Sequence, residues 1–144
     1  MNDYLAILPT PLPVADALAF VSSPAAGGIA VFLGATREQI GENGKSLLAL
    51  HYEAYTDMAA KQLKTLAAEA RGKWPILKLA ILHRTGRVNL TEPSVLIAVS
   101  TPHRAEAFES CRWIMDTLKH SAAIWKQEIW SDGQATWVHP DKPD

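Results

Sequence analysis

Ser94-Val95-Leu96-Ile97-Ala98-Val99-Ser100-Thr101-Pro102-His103-Arg104 is the stretch on which the reading of the fold turns. Its first seven residues form an apolar run rich in β-formers, the pattern of a strand. Thr101-Pro102 then opens a helix, since proline is favoured at the first helical position. The apolar residues of that helix, Ala107, Phe108, Cys111, Ile114, Met115 and Leu118, recur at helical spacing and are expected to be buried. Downstream, Ile124 to Trp130 reads as a final strand, followed by an Asp132-Gly133 turn and Trp137-Val138.

Upstream the same alternation repeats. Ile76 to His83 is an apolar strand, separated from Ser94 by the turn-rich segment Arg84 to Pro93. Leu47 to Tyr55 is a strand with aromatic residues. Thr56 is the expected N-cap of a helix running to about Arg71, with its stripe on Ala59, Leu63, Leu66 and Ala70 and its end at Gly72 and Pro75. Gly28 to Leu33 reads as a buried strand, and the polar segment Gly34 to Ser46, with Gly41, Asn43 and Gly44, as a mobile loop. Tyr4 to Leu8 is a short strand ended by prolines, and Val14 to Ser22 a helix that breaks at Pro24 to Gly28. Strands interleaved with about three helices imply an α/β or α+β class with a mixed sheet. No Gly-rich fingerprint follows a strand, which disfavours a doubly wound nucleotide-binding domain.

A chain of 144 residues suits one domain, here 1–144, with a sizeable core. Fourteen Lys+Arg against 15 Asp+Glu leave a net charge of -1, so no global basic field exists to hold nucleic acid. Cys111 is the only cysteine, which removes intrachain disulfides and cysteine metal clusters and fits a reducing compartment. No basic leader opens the chain and no run approaches the roughly 20 apolar residues of a membrane span, so a cytoplasmic location is expected. Five tryptophans, three of them between Trp125 and Trp137, exceed what one small core needs and suggest a subunit interface.

Three groups of residues suit chemistry. His103-Arg104 falls in the first turn of a helix, where positive charge opposes the dipole but free N–H groups favour an anion. A solvated surface pair explains it equally well. Lys119, in the last turn of that helix, is favoured there by the dipole alone. Lys126 sits inside the apolar strand Ile124-Trp125-Lys126-Gln127-Glu128-Ile129-Trp130 and shares a face with Glu128 by the period of two. It is either an edge gatekeeper or a partly desolvated amine able to act as base or nucleophile. Arg37, with Lys45, is placed to close over an anion, although a solvated loop arginine is the commoner case. His83-Arg84 and Arg87 form a further basic group of the same ambiguity. His51, Glu53 and Tyr55 share a strand face and read as packing, and Cys111 reads as core. The histidines lack metal-binding spacing.

Several segments, in order and spacing, resemble the catalytic (large) subunit family of molybdopterin synthases, MoaE-like. They are Phe32-Leu33-Gly34-Ala35-Thr36-Arg37, Leu50-His51-Tyr52-Glu53-Ala54-Tyr55, His83-Arg84-Thr85-Gly86 and Ile97-Ala98-Val99-Ser100. They continue with His103-Arg104-Ala105-Glu106-Ala107-Phe108, Asp116-Thr117-Leu118-Lys119 and Ile124-Trp125-Lys126-Gln127-Glu128. The likeness runs from about Gly28 to Trp137. It implies a single catalytic domain with an α/β hammerhead-type fold, and a homodimer that carries one small ubiquitin-like carrier subunit at each end, a heterotetramer. It implies a sulfurtransferase of molybdenum cofactor biosynthesis. Sulfur passes from the carrier's C-terminal Gly-Gly thiocarboxylate to cyclic pyranopterin monophosphate, forming the dithiolene of molybdopterin, with no metal or organic cofactor.

The resemblance also implies roles. Lys119 and Lys126 are catalytic, Lys119 beside the thiocarboxylate and Lys126 against charge developing on the substrate. Arg37, His103 and Arg104 bind phosphate and pterin, Glu128 orients Lys126, and Met115 lines the pocket wall. The chain departs from the family in three places. Ala123 stands where a proline is usual, Glu38 to Lys45 lacks the usual loop pattern, and the tail holds His139 and Lys142 with no placed arginine. The rival reading is a non-catalytic scaffold for the carrier, which would not require both lysines.

Overall fold

The computed structural model describes residues 2–138, so His139 and Lys142 lie outside the described residues. Along the chain run β1 (Asp3–Leu8), α1 (Val14–Val21), β2 (Gly28–Ala35), β3 (Leu47–Ala54), α2 (Thr56–Lys73) and β4 (Lys78–Arg84). They are followed by β5 (Gly86–Asn89), β6 (Pro93–Thr101), α3 (Arg104–Ser121), β7 (Ile124–Trp130) and β8 (Ala135–Trp137). The expected α/β class holds, but the strands divide between two sheets. One has the order β1-β4-β6-β2, the other β5-β3-β7-β8. Only the first is mixed, because β1 runs parallel to β4 while every other pairing is antiparallel.

Strand β6 is buried nearly end to end because both faces of its sheet are covered. By the period of two, Val95, Ile97 and Val99 point to one side, where they pack with Leu63, Leu66 and Ala70 of α2 and Ile114 and Leu118 of α3. Leu96 and Ala98 point to the other side, against Ala17 and Val21 of α1. A strand covered on both sides reads as a continuous apolar run, which is why its periodicity is hidden in the sequence. Each large aliphatic residue so buried stabilises the fold by roughly 1.5–3 kcal/mol.

Several sequence expectations change. Gly28 to Leu33 is a strand but not a buried one: Ile29, Val31, Phe32 and Leu33 are exposed, because β2 is the edge of its sheet. Phe108 is 68% exposed, since the buried stripe of α3 follows Ala107, Ser110, Cys111, Ile114 and Leu118 and leaves the next position outside. Met115 is only partly buried. Helix α3 begins at Arg104 with His103 as N-cap, two residues after Pro102. Thr56 is the first residue of α2 rather than its cap. The segment Arg84 to Pro93 contains β5, whose residues pair with β3. Gly133 has φ +87, the left-handed turn that its Asp-Gly pair signals.

The polar segment after β2 folds back on itself. Gly41 N–H donates to Lys45 O at 2.9 Å and Leu47 N–H to Gln39 O at 2.9 Å, around a bridge between Ile40 and Ser46. Among the described residues no helix is long and apolar enough to cross a membrane.

Candidate active site

Register brings the site together. Lys126 and Glu128, two apart on β7, present to one face and lie opposite Tyr52 and Leu50 of β3. All four border a cavity of about 570 Å³. Helix α3 reaches the same cavity with Met115 and Lys119, four residues apart and hence on one side of the helix. The end of β2 and the loop after it add Thr36, Arg37 and Gln39, while β4 and β6 add His83 and Ser94. Of the residues expected at a site, Arg37, Met115, Lys119, Lys126 and Glu128 therefore meet in one place.

Charge in the cavity is uneven. Arg37, Lys119 and Lys126 bring three cations, and Glu128 is a carboxylate only 8% exposed. Gln39 Nε2 donates to Glu128 Oε2 at 3.0 Å, tying the loop after β2 to β7. Such a basin suits an anionic ligand. Thr36 Oγ1 is buried in the wall and has no hydrogen-bond partner among the described residues. A second, more apolar groove of about 420 Å³ adjoins Lys119, bordered by Phe32, Phe108 and Met115.

His83 forms part of the cavity wall. Its Nδ1 lies 2.9 Å from Arg84 O, and its ring meets Tyr52 edge to face at 4.9 Å. Burial pushes its pKa down to about 4; the Arg84 carbonyl pulls it up and the nearby Lys126 charge lowers it further. The imidazole is therefore neutral at neutral pH. Ser94 Oγ donates to Gly34 O at 3.3 Å and lies 3.1 Å from Tyr52 Oη, joining the two sheets at the cavity. Sequence reasoning placed His83 only in an ambiguous basic group with Arg84 and Arg87, and gave Tyr52 and Ser94 no part in a site. Its available signal was His83 itself, a polar side chain closing an apolar strand.

His103 and Arg104 do not line the cavity. They occupy the start of α3, and fifteen residues at about 1.5 Å rise set Arg104 roughly 22 Å from Lys119. Lys45 is exposed and away from the cavity wall. Arg84 pairs with Glu92 at 3.5 Å, and Arg87 Nε donates to Asn89 Oδ1. His51 pairs with Glu53 at 3.7 Å on the opposite face of β3. Cys111 is buried in the core, and burial raises its thiol pKa to about 11, so it is no nucleophile at neutral pH. Among the described residues no group of three or more His, Cys, Asp or Glu is placed to hold a metal ion.

A family model described as MoaE protein matches residues 7–121. The chain belongs to the MoaE family. It is 42% identical over 139 residues to a molybdopterin synthase catalytic subunit from Nostoc sp., covering 96% of this chain and 83% of that one. The crystal structure of molybdopterin synthase from Staphylococcus aureus superimposes with a TM-score of 0.86 at 34% identity, covering 92% of this chain and 95% of that one. A chain in a complex of subunits 1 and 2 of molybdopterin-converting factor from Helicobacter pylori shares the fold, with a TM-score of 0.78, 20% identity and coverage of 96% and 92%. The cavity described above thus belongs to a MoaE scaffold.

Proposed function

We propose that this chain is the catalytic subunit of a molybdopterin synthase, a sulfurtransferase of molybdenum cofactor biosynthesis. It takes sulfur from the C-terminal thiocarboxylate of a small ubiquitin-like carrier and delivers it to cyclic pyranopterin monophosphate, building the dithiolene. The observation that carries this reading is the convergence of Lys119, Lys126 and Arg37 on one cavity that also holds the buried carboxylate of Glu128. The incoming thiocarboxylate and the substrate phosphate are both anions. Lys119 orients the thiocarboxylate and serves as acid or base in the transfer. Lys126 stabilises negative charge that develops as sulfur adds and the cyclic phosphate opens. Glu128 orients Lys126, Arg37 holds the phosphate, and Met115 supplies an apolar wall. Thr36 Oγ1 gains its missing partner from the ligand. The apolar groove beside Lys119 suits the extended tail of the carrier.

His103 and Arg104 enter through a second copy of the chain. Strand β2 is the edge of its sheet among the described residues, with Ile29, Val31, Phe32 and Leu33 exposed. Its start packs against α3 so closely that a Cβ on Gly28 would lie 2.8 Å from Arg104 Cα, and its end borders the cavity. A two-fold pairing along such an edge sets the start of one strand against the end of the other. The second copy's His103 and Arg104 then face the first copy's cavity as its phosphate and pterin contacts. The whole chain acts as one catalytic unit in the cytoplasm, a homodimer bearing a carrier at each end.

Reconstitution with a thiocarboxylated carrier and cyclic pyranopterin monophosphate, followed by dithiolene formation, tests this directly. Product is expected. Carrier binding without product would make the chain a scaffold.

A further inference from the structure

His83 has no part in the roles assigned above, yet it is 7% exposed and forms part of the cavity wall. Two contacts fix its ring. Nδ1 faces the Arg84 carbonyl at 2.9 Å, and a carbonyl only accepts, so the proton must sit on Nδ1. The Tyr52 ring holds the imidazole edge to face at 4.9 Å. In the neutral ring the remaining nitrogen, Nε2, is an acceptor and nothing else. Tyr52, whose ring meets His83, lies directly opposite Lys126 in the β3–β7 ladder, and all three border the cavity. The Lys126 charge is near enough to act on the His83 ring.

We propose that His83 is a positioning residue for Lys126, its locked imidazole presenting Nε2 as the hydrogen-bond acceptor that aims the lysine amine at the substrate. A neutral acceptor fits where a second carboxylate would not. Glu128 already supplies one negative charge, and another would offset the cationic basin that an anionic substrate needs. The other titratable side chains around the cavity are Arg37, Tyr52, Lys119 and His120. His83 is the group of this wall whose ring is fixed by a backbone carbonyl and lies within range of the Lys126 charge.

Two near-isosteric variants separate the functions of the ring nitrogens. H83N keeps a donor near Nδ1 for the Arg84 carbonyl but has no acceptor at the Nε2 position. H83Q carries an amide oxygen that reaches the Nε2 position. Two readouts are compared in the full-length chain. The first is the rate at which Lys126 is acylated by an amine-directed reagent at fixed pH, followed by peptide mass spectrometry. The second is sulfur transfer in the reconstituted synthase.

With the acceptor lost, H83N is expected to change Lys126 acylation severalfold and to lower kcat roughly tenfold to a hundredfold through misplacement, with KM little altered. H83Q is expected to restore both towards the native values. Should the H83N chain not fold, H83M, which fills the space without an acceptor, serves the same comparison. Native Lys126 reactivity in H83N, or equal impairment in H83N and H83Q, overturns the proposal. Only the turnover measurement rests on the sulfur-transfer reading. If the native protein makes no product, that reading fails, while the acylation measurement still decides the His83–Lys126 relation.

Discussion

The two ends of α3 carry the same kind of charge and serve different surroundings. At its C-terminal end Lys119 borders a cavity shared with Lys126, Arg37 and Glu128. At its N-terminal end His103 and Arg104 are exposed beside the start of the edge strand β2. Roughly 22 Å of helix separates them, more than one small substrate spans. The helix dipole accounts for Lys119 and solvation for His103 and Arg104, so neither end declares a function alone. What distinguishes them is company: one cation sits among others around a cavity, whereas the other pair lies at a helix start beside the edge strand β2.

The sharpest way to break this contrast is Lys119→Ala. Turnover is expected to fall by about 10²–10⁴-fold, with carrier binding and thermal stability nearly unchanged. Unchanged turnover in a steady-state assay removes Lys119 from the mechanism and with it the distinction between the ends.

Acid titration probes the cavity end next. The pKa of His83 is lowered from 6.5 to about 4 in the folded chain, so between these values the unfolded chain binds more protons. Stability is therefore fully present above pH 6.5 and declines as pH falls towards 4, by an amount on the order of 3 kcal/mol. Denaturant unfolding across this range should show the decline in the native chain and a shallower one in H83Q. Equal slopes would mean that the ring is not buried neutral.

At the other end, Arg104→Ala should weaken substrate binding about tenfold to a hundredfold, the worth of a charged hydrogen bond, and carrier binding much less. Isothermal titration with each ligand decides it, and the reverse pattern would place the phosphate elsewhere. Last comes a mixing experiment. Lys119→Ala and Arg104→Ala chains are each impaired, yet a dimer of one with the other keeps one intact site if each site draws on both copies. Equal mixing should then regain about a quarter of native turnover, since half the dimers are mixed and half their sites intact. No regain would confine each site to one chain.

Much of the fold was legible, and the exceptions share a cause. Strands β6 and β7 and the stripe of α2 follow directly from local pattern, and Lys126 with Glu128 follows from the period of two. Strand β2 is as apolar as β6, so its pattern could not tell an edge from a centre. Phe108 fits the apolar spacing of α3 but stands one position off the buried stripe. Strand β5 is four residues long and owes its conformation to β3, not to its own propensity. The catalytic roles of the lysines were implied only by the family resemblance, and Lys119 above all, since the helix dipole accounts for its position.

What the sequence determined by itself was local: element types, the shared face of Lys126 and Glu128, and the ordered motifs that mark a MoaE chain. Only tertiary structure decided which cations share a cavity, that His83 and Tyr52 wall it, and that His103 and Arg104 stand apart. The physical reason is reach. Periodicity acts over a few residues, whereas burial, desolvation and charge neighbourhood depend on segments brought together from β3, β4, α3 and β7 by two separate sheets.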